Sequence, residues 1–158
     1  MMNLNFDNKL KISYTLLRLV TKLSELDKQT SYYGTDKQLF EAEIHMIKAI
    51  KESEGIHVIG LAEKLGVTKG AVSQIITKLQ KKGMTIKEID PNNLSRLIIR
   101  LTPKGEIAYL HHEKIHQDFD VLVNNILNDS SDEEKTFLKK FLNSLEEKVD
   151  TLSERKKK

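Results

Sequence analysis

The stretch LAEKLGVTKGAVSQIITKLQKKG, residues 61–83, decides the fold. It contains two helix-forming runs separated by GVTKG, and apolar residues recur in the second run at i, i+3, i+4 and i+7. These apolar residues are Val72, Ile75, Ile76 and Leu79. The opposite face of the same helix carries small, hydrogen-bonding or cationic side chains and no acid: Gly70, Ser73, Gln74, Thr77, Lys78 and Lys81. Because a solvated face ordinarily mixes both charge signs, this face indicates an anionic partner.

Basic residues are concentrated around this stretch. Between His57 and Lys104 there are nine lysines or arginines and three acids, whereas the rest of the chain has 17 basic and 20 acidic residues. The net charge is therefore +6 in this segment and −3 elsewhere, although the whole chain carries +3. Such a local excess predicts a polyanionic partner more strongly than a high overall isoelectric point would.

The sequence before this stretch predicts two longer helices. The first covers residues 6–28 and has a stripe of leucine and valine. We expect Thr35 to cap the second, with Gln38 as its capping-box partner and Phe40 among its buried residues. Thr68 is expected to cap the polar-faced helix, which ends at the glycine of residue 83.

The sequence after this stretch changes from a helical period to a strand period. MTIKEID and RLIIRLT predict two strands, and PNNLS between them has turn chemistry. Long helices then begin at Thr102-Pro103 and at the capping box of Ser131 and Glu134. The predicted fold class is mainly α with a small β-hairpin wing, because helix, turn, helix and hairpin in this order make a winged helix-turn-helix.

The long terminal helices carry more apolar surface than so small a lobe can cover, which predicts a homodimer. We expect an N-terminal dimerisation helix in residues 6–34 and a winged helix-turn-helix DNA-binding lobe in residues 35–102. C-terminal dimerisation helices follow in residues 103–153, with a basic tail in residues 154–158. The N- and C-terminal helices would together form a helical dimerisation base.

In the order, spacing and length of these elements, residues 6–152 resemble the MarR family of bacterial and archaeal transcription regulators. The resemblance implies an interleaved helical base that holds two winged lobes against DNA. The wing departs from the family pattern eight and six residues before the Leu of its LT pair. Asn93 and Ser95 stand where the family usually has an acid and a base, and Arg96 follows one place later. We therefore expect Arg96 to point one strand step out of phase.

The predicted DNA-binding residues lie on the polar-faced helix and on the wing. Gln74 is the expected base reader, because its amide can pair bidentately with adenine in the major groove. Lys69 lies at the helix start, where backbone N–H groups favour a phosphate, and Gly70 would let the backbone approach closely. The complete set is Thr68, Lys69, Gly70, Ser73, Gln74, Thr77, Lys78, Asn93, Ser95 and Arg96.

These features predict a sequence-specific transcriptional repressor that binds a pseudo-palindromic operator as a homodimer. A non-specific architectural DNA-binding protein and a winged-helix module that binds protein are the alternatives. The sequence contains no Gly-rich phosphate loop, no cysteine and no recognisable Ser-His-Asp arrangement, so we do not expect an enzyme. No cofactor is required.

Histidines suggest a metal as the effector that modulates DNA affinity. His112 and His116 are four residues apart on one predicted helix, a spacing that lets two imidazoles bind one Zn²⁺. Together with the place of His45, they resemble the zinc-responsive branch of the MarR family. The resemblance implies a fourth, carboxylate ligand from the first helix, for which Glu25 and Asp27 are the candidates.

A small aromatic acid is the competing effector, because many MarR-like proteins bind one between their lobes. Tyr32, Tyr33 and Arg18 are the candidate lining residues. The other histidines are assigned elsewhere: His111 is expected to point away from the metal site, and His57 to lie in the capping region of the helix-turn-helix.

The sequence also predicts a cytoplasmic protein. No run reaches the roughly 18 apolar residues of a membrane span, and the amino terminus lacks the pattern of a secretory signal. The absence of cysteine agrees with a reducing compartment.

Overall fold

The computed structural model describes the backbone of residues 4–155 and the side chains of residues 11–152 other than residues 27 and 29. Two compact units, Met1–Lys114 and Ile115–Lys158, make up the chain. Within residues 4–155 the elements are α1 (Leu4–Thr30), α2 (Glu41–Lys51), α3 (Val58–Leu65), α4 (Lys69–Lys81), β1 (Thr85–Asp90), β2 (Asn93–Leu101), α5 (Pro103–Ile126) and α6 (Asp132–Arg155). The predicted fold class, mainly α with one antiparallel hairpin, is confirmed. None of the described helices has both the length and the apolar character to cross a membrane.

The core of the first unit lies among α2, α3, α4 and the hairpin. The predicted buried face of α4 is confirmed, because Val72, Ile76 and Leu79 are fully buried. This burial fixes the rotation of α4 about its axis, and the opposite face is therefore turned to solvent. The largest side chains of the core are Leu39, Ile44, Met46, Ile47, Leu61, Val72, Ile76, Leu79, Met84 and Ile99.

The start of α2 differs from the prediction. The capping box of Thr35 and Gln38 is wrong, because α2 begins only at Glu41 and Thr35 instead closes a turn with nearby backbone groups. The predicted burial of Phe40 is also wrong, since its side chain is 64% exposed. The carboxylate of Glu43 accepts a hydrogen bond from the Phe40 N–H at 2.9 Å and so sets the helix start one turn later.

The helix-turn-helix follows the sequence closely. α3 ends at Gly66, whose φ of 65° lies in the left-handed region that favours glycine. Thr68 caps α4 as predicted, and its hydroxyl accepts a hydrogen bond from the Ala71 N–H at 3.2 Å. His57 is the N-cap of α3 and accepts a hydrogen bond from the Gly60 N–H, which confirms its capping role.

The hairpin has an irregular tip. Its antiparallel register is regular up to the pair of Ile89 and Leu97, after which Asp90 pairs with Asn93. Residues 94–96 consequently have no partner in β1, and we name them the wing bulge. β2 begins at Asn93, inside the segment that was predicted to be a turn.

The base of the hairpin is closed by three hydrogen-bonding or packing contacts. The Thr102 hydroxyl donates to the Gly83 carbonyl at 2.6 Å and accepts from the Gly105 N–H at 3.1 Å, which confirms Thr102 as the cap of α5. Gly105 packs so closely that a Cβ there would lie 2.2 Å from the Met84 carbonyl oxygen. These contacts therefore fix the positions of the residues that connect the hairpin to α4 and to α5.

In the second unit, α6 begins at the predicted capping box. The Glu134 N–H donates to the Ser131 hydroxyl at 3.2 Å, and the Glu134 carboxylate accepts from the Ser131 N–H at 2.8 Å. α6 extends to Arg155 and so includes the first two residues of the predicted tail, whereas residues 156–158 lie outside the described residues. Its apolar stripe is exposed: Leu138, Phe141, Leu142, Leu145, Val149 and Leu152.

Candidate nucleic-acid interface

The exposed face of α4 brings together every predicted DNA-binding residue of that helix. Each of these residues, with the cap that precedes them, is exposed: Thr68, Lys69, Gly70, Ser73, Gln74, Thr77 and Lys78. The Thr77 hydroxyl donates to the Ser73 carbonyl at 2.8 Å. The side-chain amide of Gln74 makes no hydrogen bond within the described residues, so both its donor and its acceptor can bind a base edge.

The N-terminal turn of α4 is open to an anion. The side chain of Thr68 occupies the Ala71 N–H, but the earlier N–H groups of the helix face solvent. Gly70 has no packing reason to be glycine: a Cβ there would meet only the Thr68 hydroxyl, at 3.9 Å. The small residue is therefore suited to close approach by a ligand.

Ion pairs divide the nine basic residues of the segment into two groups. Four of them are paired with a carboxylate: Lys64, Lys82, Arg100 and Lys104. The other five have no ion pair in the part of the chain that the structure describes, and we name them the unpaired cations: Lys69, Lys78, Lys81, Lys87 and Arg96. All five are exposed on α4 or on the hairpin, so the positive charge of this surface is not neutralised.

Lys82 has a structural role. Its amine lies 2.6 Å from the buried carboxylate of Glu43, donates to the Gln38 carbonyl at 2.8 Å and stands 5.0 Å from the centre of the Phe40 ring. These contacts hold the end of α4 against the start of α2. Lys82 is therefore not one of the unpaired cations.

In the wing, Asn93 and Ser95 are joined by a hydrogen bond. The Asn93 side chain accepts a hydrogen bond from the Ser95 N–H at 3.1 Å, and both residues are exposed. Arg100 pairs with Glu88 across the hairpin at 2.7 Å and stiffens the wing at its base. Arg96 is exposed in the wing bulge, where strand alternation does not hold. The expectation that it points one strand step out of phase stays a prediction, because residues 94–96 have no partners in β1 that define a phase.

Two of the predicted metal ligands are neighbours in the first unit. The ring centroids of His45 and His112 are 6.0 Å apart with an angle of 77° between the planes. His112 is 5% exposed, lies 5.8 Å from the Tyr33 ring and has Nδ1 3.5 Å from a Glu113 carboxylate oxygen. A hydrogen bond from Lys48 lowers the pKa of Glu113 below its usual value, so a carboxylate is held beside this imidazole.

The remaining predicted ligands belong to other parts of the chain. His116 lies in the second unit, Glu25 is exposed on α1, and the side chain of Asp27 is outside the described residues. Among the residues whose side chains are described, no three His, Asp or Glu groups form a cluster able to hold a metal.

The candidates for an aromatic-acid site have different surroundings. Tyr33 is buried against His112, Tyr32 is half-exposed, and Arg18 lines a shallow depression on α1 with Tyr14. His111 is exposed and lies against Gly34.

Sequence reasoning missed two exposed residues of the hairpin. Lys87 belongs to the acid-poor segment, so the charge count contained a signal for it. Leu94 gave no signal, because the segment around it was predicted to be a turn and its place in the wing bulge depends on the register.

Comparison with known proteins agrees with this geometry. Residues 39–107, which cover the lobe from the start of α2 to the start of α5, match the MarR family. This lobe is thus similar to the winged helix-turn-helix domain of the MarR family. Proteins of this family are DNA-binding transcription regulators and not enzymes.

Two curated relatives come from Bacillus subtilis strain 168. The HTH-type transcriptional regulator YhjH is 36% identical over 93 residues, which are 59% of this chain and 53% of that protein. The HTH-type transcriptional regulator PchR is 32% identical over 102 residues, 65% of this chain and 60% of that protein. The chain thus matches little more than half of the length of these relatives.

Solved structures share the MarR-family fold over most of the chain. Streptococcus pneumoniae FabT, in complex with DNA, has a TM-score of 0.64 and 21% identity, covering 91% of this chain and 99% of that one. A variant of Lactococcus lactis ZitR has a TM-score of 0.69 and 19% identity, covering 87% and 97%. A variant of S. aureus MepR bound to an oligodeoxyribonucleotide has a TM-score of 0.57 and 19% identity, covering 87% and 97%.

Proposed function

We propose that this chain is a sequence-specific DNA-binding transcription regulator, a repressor that acts in the cytoplasm. The observation that carries the proposal is the exposed face of α4. On this face the side-chain amide of Gln74, which makes no hydrogen bond within the described residues, lies among unpaired cations. Cations and helix N–H groups position a protein on phosphates, whereas an amide in the major groove reads bases. The surface has both kinds of group, as specific recognition requires.

The partner in this proposal is double-stranded DNA. α4 would enter the major groove and the hairpin would lie over the adjacent minor groove, as is usual for this order of elements. The FabT and MepR structures that share the fold are bound to DNA, which supports the assignment.

The proposed regulator is a homodimer. The apolar stripe of α6 is exposed in the single chain, and so is a second stripe on α1 that includes Leu19, Val20, Leu23 and Leu26. Exposed apolar surfaces of this extent mark interfaces. A twofold dimer places two copies of α4 on half-sites about 10 base pairs apart, so the operator is a pseudo-palindrome.

The experiment is a binding titration with a duplex that the wild-type protein selects from a random library. Its affinity is compared with that for a scrambled duplex of the same composition at several salt concentrations. We expect the selected duplex to bind at least about 10³-fold more tightly, as specific sites do. Equal affinities would identify an architectural protein, and no binding to either duplex would identify a module that binds protein.

The proposal includes Zn²⁺ as the effector, bound by His45, His112, His116 and one carboxylate of Glu25 or Asp27. The contact between the His45 and His112 rings supports it, because two imidazoles on one tetrahedral Zn²⁺ have ring centres roughly 5–6 Å apart. Neutral imidazole is the required ligand form, and the metal would supply a fixed link among the elements that carry its ligands. A small aromatic acid is the alternative effector.

Zinc is tested by competition titration at pH 7.5 with protein purified without an affinity tag. We expect uptake by the wild type, loss of uptake in His112→Ala, and a 5–150-fold metal effect on DNA affinity, the range typical of allosteric coupling. Uptake should also weaken as the pH is lowered, because a protonated imidazole cannot bind a metal. His111→Ala is the matched control and should behave as wild type. An absence of uptake in the wild type would leave the aromatic acid as the candidate.

A further inference from the structure

The tip of the hairpin exposes apolar side chains that the packing of the lobe does not use. Leu94, in the wing bulge, is 82% exposed, more than any other large hydrophobic side chain in the described residues. Below it, Ile89 and Leu97 are direct cross-strand partners, at 61% and 52% exposure. The tip thus exposes three apolar side chains at and beyond the last regular pair of the ladder.

The surroundings of this apolar tip indicate an anionic partner. Arg96 lies two residues after Leu94 within the wing bulge, and Lys87 lies two residues before Ile89 on β1. Both belong to the unpaired cations, so the tip combines apolar side chains with unneutralised positive charge. The minor groove of DNA complements both features: its negative potential attracts the cations, and its sugar walls are apolar. A purely apolar protein partner would leave both cations without a counter-charge.

We propose that Leu94 is a wedge that enters the minor groove of the operator and partly unstacks one base step. The inference rests on the proposed function and adds a residue that acts through DNA shape. Apolar side chains inserted in this way kink DNA and generate specificity for flexible pyrimidine–purine steps without reading base edges. The bulge makes the insertion sterically reasonable, because residues 94–96 are not tied to β1 by the ladder. Arg96 beside it would bind the groove or its phosphates.

In this role, substitution of Leu94 has a different effect on DNA binding from substitution of a charged residue of the surface. Removing an apolar side chain weakens binding without changing the number of phosphate contacts, so the salt slope should not change. From the burial of one leucine in each half-site we expect an affinity loss of about 10-fold per half-site, and so of about 100-fold for Leu94→Ala in a symmetric dimer. Arg96→Ala should instead make the salt slope shallower.

The experiment uses the full chain and a duplex selected from a random library by the wild-type protein. Affinity, salt slope and DNA bend, the last by energy transfer between end labels, are measured for wild type, Leu94→Ala and Leu94→Met. Ile86→Ala, a half-exposed apolar residue near the base of the same hairpin, is the matched control. 2-Aminopurine placed successively through the minor-groove segments reports the unstacked step.

The expected result has four parts. Wild type bends the duplex and raises 2-aminopurine fluorescence at one step in each half-site. Leu94→Ala loses both effects together with about 100-fold in affinity, and Leu94→Met restores them. Ile86→Ala behaves as wild type. Unchanged affinity, bend and fluorescence in Leu94→Ala would overturn the wedge. A changed molecular mass of that variant in light scattering would also overturn it, in favour of a protein contact. If Gln74→Ala still relaxes sequence preference in the same assay, the wedge alone has failed; if the wild type has no sequence preference, the proposed function has failed with it.

Discussion

The five unpaired cations make the salt dependence of DNA binding a quantitative prediction. A protein that neutralises Z phosphates has a slope of log K against log salt of about −0.9Z. Five contacts from each protomer of a dimer give a limiting Z of about 10 and a slope of about −9. In a symmetric dimer, Lys69→Ala removes two contacts and should make the slope shallower by about 1.8. Over a fourfold change in salt, the variant should therefore lose about tenfold less affinity than the wild type.

Lys104→Ala is the matched control for this measurement. It removes the same charge, but Lys104 is paired with Asp36 and holds the pKa of that carboxyl below its usual value. Its amine is therefore engaged within the lobe, and the salt slope should stay at the wild-type value. The assay is fluorescence anisotropy of a labelled duplex at four or more salt concentrations. Equal changes of slope in the two variants would refute the division into paired and unpaired cations, since net charge alone would then explain the effect.

The remaining predictions concern assembly and stability. Deleting residues 131–158 should give monomeric or insoluble protein, because the α1 surface loses its partner; a full-length chain that is monomeric at micromolar concentration in light scattering would refute the dimer. Gly105→Ala should destabilise the lobe by about 1–3 kcal/mol in urea unfolding, because its Cβ would overlap the Met84 carbonyl oxygen. Gly70→Ala, at an open helical position, should instead stabilise it by roughly 0.5–1 kcal/mol while weakening DNA binding. Equal stability changes in these two variants would contradict the packing described for Gly105.

Local chemistry made much of the DNA-binding lobe predictable. A helix period and a capping threonine are signals contained in a few neighbouring residues, and Thr68 stands where those signals placed it. The rotation of α4 was equally predictable, because the buried positions of an amphipathic helix determine the exposed ones.

The misjudged features depended on contacts distant in sequence. The start of α2 is set by Glu43, whose carboxylate is held by Lys82 39 residues later, and Thr35 offered an equally good local cap. The wing bulge depends on strand register, which turn chemistry in PNNLS did not specify. The division of the basic residues into paired and unpaired groups likewise required the folded positions of their acids. A sequence pattern contains the cations but not the partners that neutralise them.

Whether Gln74 reads a base of the operator is tested most directly by removing a single atom of the DNA. Replacing each adenine of the selected duplex in turn with 7-deazaadenine removes the N7 acceptor and leaves base pairing intact. At one adenine in each half-site, the wild type should lose affinity equivalent to about 1–3 kcal/mol, whereas Gln74→Ala should bind the natural and modified duplexes equally. If wild type and Gln74→Ala lose the same affinity at every modified adenine, Gln74 does not read the operator.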